Sequence, residues 1–307
     1  MRKKGILSAL LGVVERSVLL PERQDPPLPA SQYPIDAENI AEMARLTKQA
    51  SIITAHLGLL PSQINPAHMQ SVLDIACGPG EWALALAEQY PHLTVTGIDL
   101  SHRMADYAFY QAQERGLHRV NFQVMDARAP LVFPDASFDL IHARLITTFL
   151  STSMWPALIS ECVRLLRPGG IFCSTEDENI GISTSPSLMR YSTLCADALR
   201  KASMCFTSEG ASFGITAVQS RLLAQAGLVH IQQQAAAINY STGTPAHPLL
   251  TQDWEIALRL VQPFLVQSGV ATQEELNILY ARLCEEMHAD HFSALIYFQT
   301  TWGQKVV

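Results

Sequence analysis

From residue 71 onward, short apolar runs alternate with stretches of helical periodicity. Ser71–Ala76, Thr94–Ile98, Val120–Val124, Phe138–Ala143 and Ile171–Thr175 are runs of strand length, Thr94–Ile98 being rich in β-branched residues. Between them, Trp82–Gln89, Met104–Glu114 and Trp155–Leu166 place apolar residues at helical spacing; Gly116 and Pro168-Gly169-Gly170 end two of these segments. Such alternation predicts a parallel sheet with helices on both faces, a doubly wound α/β fold. Ligands in such sheets sit outside the carboxyl ends of the strands.

The flanks read differently. Residues 21–35 are rich in proline and polar side chains, as a linker is, and Asp36 is placed to cap a helix from about Ala37 to His56, ended by Gly58 and Pro61. Beyond residue 180 the pattern predicts helices at Ser187–Lys201, Val218–Ala226, Trp254–Gln267 and Gln273–His288, and strands at Val229–Asn239 and Ala294–Thr300. Residues 1–20 carry apolar positions at 6/7, 10, 13/14 and 18, one face of an amphipathic helix. That face needs a partner surface: a sister subunit in a homo-oligomer is expected, with the protein's own core or a membrane as the alternatives. The basic start briefly imitates a signal peptide, but no cleavage site follows.

Composition narrows the function. Of 307 residues 48% are apolar and 16% charged, which supports a large core. The formal charge of −7 lacks the basic footprint of a nucleic-acid binder, so no nucleic-acid partner is expected. No run approaches the roughly 20 apolar residues of a membrane span. Six scattered cysteines without C-x-x-C pairs suit a reducing cytoplasm. His288 and His291 share a helix face, but no third ligand accompanies them and a helix end is expected there, so no metal is expected.

The chemistry concentrates in Asp74-Ile-Ala-Cys-Gly-Pro-Gly80. A strand, a turn of small residues and a helix N-terminus bring backbone N–H groups close to a ligand. Asp99 ends the next strand, where a carboxylate can accept both ribose hydroxyls of a nucleoside. The loop is not G-x-G-x-x-G, and the acid before the turn points away from a nicotinamide dinucleotide.

These residues resemble the class I S-adenosylmethionine-dependent methyltransferases of small-molecule type, as in ubiquinone, menaquinone or bacterial natural-product biosynthesis. The resemblance runs through Val72–Gly80, Gly97-Ile-Asp-Leu-Ser101, Met125-Asp126-Ala127, Phe138–Arg144 and Leu166-Arg-Pro-Gly-Gly-Ile171. Ala76 stands where the commonest pattern has its first glycine. The resemblance implies a seven-stranded, mostly parallel sheet of order 3-2-1-4-5-7-6. N-terminal helices over residues 1–60 would precede a methyltransferase domain over 61–307, with a helical insertion near 240–290. It also implies S-adenosylmethionine as cofactor. Asp74 and the backbone of Ala76, Gly78, Pro79 and Gly80 would hold its methionine end. Asp99 would grip the ribose, with Leu100 and Met104 against the adenine, and Asp126 would accept from the adenine amino group beside Ala127. His142, Ala143 and Arg144 would lie near the methyl group or methionine moiety. The stretch Tyr33–Arg45 looks like the lid of similar enzymes, making Tyr33 and Arg45 candidate cofactor contacts or ordinary lid packing.

Methyl transfer to oxygen or carbon usually needs a base. Glu176, in the run Glu176-Asp177-Glu178, is the first candidate and His142 the second. A solvated acidic loop and a hydrogen-bonded strand-end histidine are the respective alternatives. The expected function is methylation of a small, apolar acceptor. The alternative is a protein that binds the cofactor and regulates without transferring its methyl.

Overall fold

The computed structural model describes residues 33–306; the amphipathic face at residues 1–20 lies outside them. Helix α1 (Ile40–Leu57) leads to β1 (Ser71–Ile75), α2 (Glu81–Gln89), β2 (Thr94–Asp99), α3 (His102–Glu114) and β3 (Val120–Val124). After these come β4 (Phe138–Arg144), α4 (Trp155–Leu165), β5 (Leu166–Asp177), β6 (Ile182–Ser183), α5 (Pro186–Lys201), α6 (Ile215–Gln225) and β7 (Leu228–Asn239). The chain ends with α7 (His247–Leu260), α8 (Gln262–Gln267), α9 (Gln273–Met287) and β8 (Ala294–Lys305).

Strands β3-β2-β1-β4-β5 are parallel in that spatial order; β8 lies antiparallel beside β5, with β7 on its far side. The predicted order is therefore present, but the sheet has eight strands rather than seven. The extra one, β6, pairs Ile182 and Ser183 with Leu295 and Ala294, prolonging the edge of β8 that β5 leaves at Phe298. Two residues give too short an apolar signal to be read in advance.

Alternation within each strand sends side chains to two separate cores. Val72, Leu140 and Cys173 face α2 and α3, meeting Trp82, Leu84, Ala108 and Ala112. Leu73, Ile75, Ile141 and Phe172 face the other way, against Trp155, Leu158 and Ile159 of α4 and Leu222 and Leu223 of α6. A third cluster joins α1, α5, α7, α8 and α9 through Ile53, Tyr191, Trp254, Leu265 and Leu283. The fold is Rossmann-like.

Several element boundaries differ from expectation; β5 starts at Leu166, so Pro168-Gly169-Gly170 lies within the strand rather than ending the helix before it, and β8 runs on to Lys305. Asn39, not Asp36, caps α1: its Oδ1 accepts from Ala41 N, while Asp36 shapes the preceding turn by accepting from Glu38 N. The single helix expected over Trp254–Gln267 is two, broken at Val261, because Pro263 has no N–H to continue the ladder. Strand β5 extends two residues past Thr175, into Glu176 and Asp177, since pairing with Gln299 and Phe298 of β8 holds these acids in extended backbone.

Candidate active site

The carboxyl ends of β1, β2 and β4 open onto a cavity of about 280 Å³. At its floor β1 turns into α2 through Ala76, Gly78 and Gly80, with φ of 52°, 54° and 83°. Cys77 N donates to Ile98 O at 2.9 Å and pins this loop to β2. Gly78 lines the cavity, and a Cβ there would meet no protein atom within 4 Å. Gly80 is tightly enclosed: a Cβ would come within 2.7 Å of Ala108 Cβ and Phe122 Cζ.

Asp99, at the end of β2, accepts from Gly78 N and Ser101 N at 2.9 Å each, one bond per carboxylate oxygen. Burial pushes its carboxyl above the ordinary value, against those two bonds. Each oxygen keeps lone-pair capacity toward the cavity, which Asp99, Leu100 and Met104 all line. Ser101 caps α3 by accepting from Met104 N, and its hydroxyl donates to Glu38 at 2.6 Å, tying the segment before α1 to this loop.

Asp74 and His142 are register partners on adjacent strands, and His142 Nδ1 lies 2.7 Å from Asp74 Oδ1. The imidazole stacks on Trp82 with centroids 3.6 Å apart and planes 5° from parallel. Burial, only partly countered by Asp74, moves His142 below its ordinary value, so the ring is neutral at pH 7. Asp126 grips Arg128 through both oxygens, at 2.8 and 2.9 Å. Burial of Asp126 opposes ionisation, but the Arg128 contacts outweigh it and hold the carboxyl below its usual range.

Arg45 borders the cavity with its guanidinium engaged. It donates to both oxygens of Glu42, at 2.7 and 2.8 Å, and to Asp253 of α7 at 3.0 Å. Tyr33 donates to Glu42 at 2.8 Å, and Gln49 holds the other oxygen of Asp253 at 3.1 Å. Arg144 also borders the cavity. It donates to Thr54 Oγ1 at 3.2 Å, and burial brings its guanidinium down to about 10.

The structure thus gathers Tyr33, Arg45, Asp74, Ala76, Gly78, Pro79, Asp99, Leu100, Met104, Asp126, Ala127, His142 and Arg144 around one cavity. Three expected site residues are not on its wall. Gly80 is the left-handed N-cap of α2 against Phe122, and the side chain of Ala143 faces the α4 core. Glu176 is fully buried, accepting from Ile146 N, Thr147 N, Thr147 Oγ1 and Ser174 Oγ. The carboxylate from that acidic run that lines the cavity is Asp177. Strand alternation would have found this had β5 been extended past its apolar run. Trp254 and Phe264, legible only as core positions, are part of the wall, as is Phe149. His288 pairs with Glu255 at 2.8 Å.

Burial raises Glu176 from 4.5 to about 7. A folded value above the unfolded one stabilises the fold below about pH 4.5, and that contribution is lost as pH rises toward 7, by up to about 3 kcal/mol. Urea titrations at pH 5 and 7.5 should show a smaller difference for Glu176→Gln than for the wild type. Equal differences would contradict this role.

A methyltransferase-domain family model matches residues 72–170, the stretch from β1 through β4 into β5. Over that stretch the chain is similar to the methyltransferase-domain family. Among similar proteins, phosphoethanolamine N-methyltransferase of Triticum aestivum is 39% identical over 101 residues, 33% of this chain and 19% of that protein. The 27-O-demethylrifamycin SV methyltransferase of Amycolatopsis mediterranei is 35% identical over 131 residues, 42% of this chain and 45% of that one. The secondary metabolism regulator LAE1 of Cochliobolus heterostrophus is 28% identical over 194 residues, 61% of this chain and 57% of the regulator. Each alignment spans less than two thirds of the relative's length.

Proposed function

We propose that this methyltransferase transfers a methyl group from S-adenosylmethionine to a small, largely apolar acceptor held in the same cavity. The observation that carries the reading is the change in the cavity's wall. At the strand ends it is glycine backbone and carboxylate. Toward α1, α5, α7 and α8 it becomes Ile53, Leu199, Trp254, Leu258 and Phe264. One end therefore suits a polar nucleoside, and the other suits an apolar body.

The residues fit the cofactor. The open space over Gly78 admits a ligand against the loop backbone, where a side chain would project into the cavity. Asp99 offers free lone pairs for a ribose diol, and Leu100 and Met104 offer an apolar surface for adenine. Asp126 and Ala127 would meet the adenine edge; Asp74, braced by His142, would face the methionine end with Arg144 beside it. When bound, the cofactor supplies a methyl group activated by its sulfonium sulfur. The chain's own task is to position the acceptor, exclude water and remove a proton where the acceptor carries one. Segment 33–57 acts as the lid, fastened by Glu38 to Ser101 and by Arg45 to Asp253.

The similarity to a regulator supports a second reading, cofactor binding without transfer. Incubation with methyl-labelled S-adenosylmethionine and a metabolite extract separates the two. Label moving into solvent-extractable small molecules supports the enzyme. Label found only on protein or nucleic acid contradicts a small-molecule acceptor. Tight cofactor binding with no label transferred supports the regulator.

A further inference from the structure

In the run Glu176-Asp177-Glu178 two of the three acids already have structural tasks. Glu176 faces inward and holds the backbone of Ile146 and Thr147 at the end of β4. Glu178 caps α6, accepting from Gly214 N and Thr216 N at 2.7 Å each. Asp177, between them, points to the opposite side of β5 from Glu176 and lines the cavity. The other acidic and basic side chains on the wall each have a protein partner: Asp74 with His142, Asp99 with Gly78 and Ser101, Asp126 with Arg128, Arg45 with Glu42, Arg144 with Thr54. Among the described residues the Asp177 carboxylate has no hydrogen bond or ion pair to any other residue, only a contact with its own backbone N–H, although it shares the cavity with Phe149, Leu199, Phe213 and Phe264. A carboxylate in so apolar a setting lacks a donor from another residue, and a ligand can bring one.

We propose that Asp177 is the catalytic base of the transfer, and that the acceptor is a neutral, otherwise apolar molecule presenting one phenol- or enol-type hydroxyl to it. This rests on the reading of the site as a small-molecule methyltransferase. A hydroxyl is the protic group that fits. It enters uncharged and donates to the carboxylate, whereas an amine entering as an ammonium would have to lose that proton before its lone pair could attack. Asp177 takes the hydroxyl proton while the oxygen's electron pair forms the new bond to the methyl carbon. The methyl–sulfur bond breaks with its pair remaining on sulfur. The products are the methyl ether, the neutral thioether and a protonated Asp177 that returns its proton to solvent. Burial and the neighbouring Glu176 and Glu178 raise the Asp177 carboxyl well above its ordinary value, making it a stronger base and a closer match to a phenol.

The probes are 2-naphthol and naphthalene, identical apart from the hydroxyl, titrated into protein loaded with S-adenosylhomocysteine. Wild type should bind 2-naphthol about tenfold or more tightly than naphthalene, and Asp177→Leu should erase that preference. Asp177→Asn, which keeps an acceptor oxygen but cannot take a proton, should retain most of the preference. It should also slow methylation of 2-naphthol by about 100-fold or more. S-adenosylmethionine affinity should be unchanged in both variants. Absence of the preference in wild type, its survival in Asp177→Leu, or equal methylation by Asp177→Asn and wild type would overturn the proposal. So would preferential binding without methylation by wild type. Failure of wild type to bind S-adenosylmethionine would instead remove the underlying reading.

Discussion

Replacing Arg45 with alanine is expected to lower the unfolding free energy by about 3–5 kcal/mol. Glu42 is 0% exposed and Asp253 4%, and both rely on the guanidinium for compensation. Burial already holds Asp253 above the usual carboxylate range, with Arg45 opposing the rise. Removing the cation leaves buried negative charge that must stay unpaired or take up protons. The loss should therefore be smaller at pH 5 than at pH 8. Arg45→Lys should recover only part of it, because one ammonium cannot reproduce a planar fork shared by two carboxylates. Urea unfolding at the two pH values measures this, and a loss below about 1 kcal/mol at pH 8 would show that the network is not a structural tie between α1 and α7.

Gly80→Ala should cost about 2–5 kcal/mol. The residue's φ of 83° is unfavourable for any side chain, at about 1–2 kcal/mol. The new methyl would also sit 2.7 Å from both Ala108 Cβ and Phe122 Cζ, forcing the loop, α3 or Phe122 to move, at about 1–3 kcal/mol. Gly116→Ala is the matched control. Its φ of 67° carries a similar backbone cost, but its Cβ would meet nothing within 4 Å. The difference in melting temperature between the two variants isolates the steric part. Equal destabilisation would mean that the enclosure of Gly80 has no energetic weight.

These two residues illustrate what a sequence conveys. Gly80 was readable because a strand, a run of small residues and a helix leave few ways to turn. Asp99 was readable because it ends the strand that follows that turn, whereas Asp126, two residues past the end of β3, was legible only through the family resemblance. Arg45 was visible as a charge near the cavity, but its partner lies 208 residues away on a helix whose placement no local pattern specifies. The choice among Glu176, Asp177 and Glu178 was hidden for a related reason. Hydrophobic periodicity ends at Thr175, yet pairing with β8 carries the strand through Asp177, and that extension decides which carboxylate meets the cavity. The break at Val261 likewise depends on Pro263 in context, since a proline in a helix's first turn is tolerated while one inside it ends the helix.

The loop from Asp74 to Gly80, together with Asp99, is proposed to hold S-adenosylmethionine. Calorimetric titration of the cofactor into wild type and Asp99→Ala tests it most directly. Wild type should bind with one site per chain, and the variant, with its fold intact by circular dichroism, should bind weaker by about 1–3 kcal/mol, roughly 5- to 150-fold. No binding by the wild type, or equal affinity in the folded variant, would contradict it.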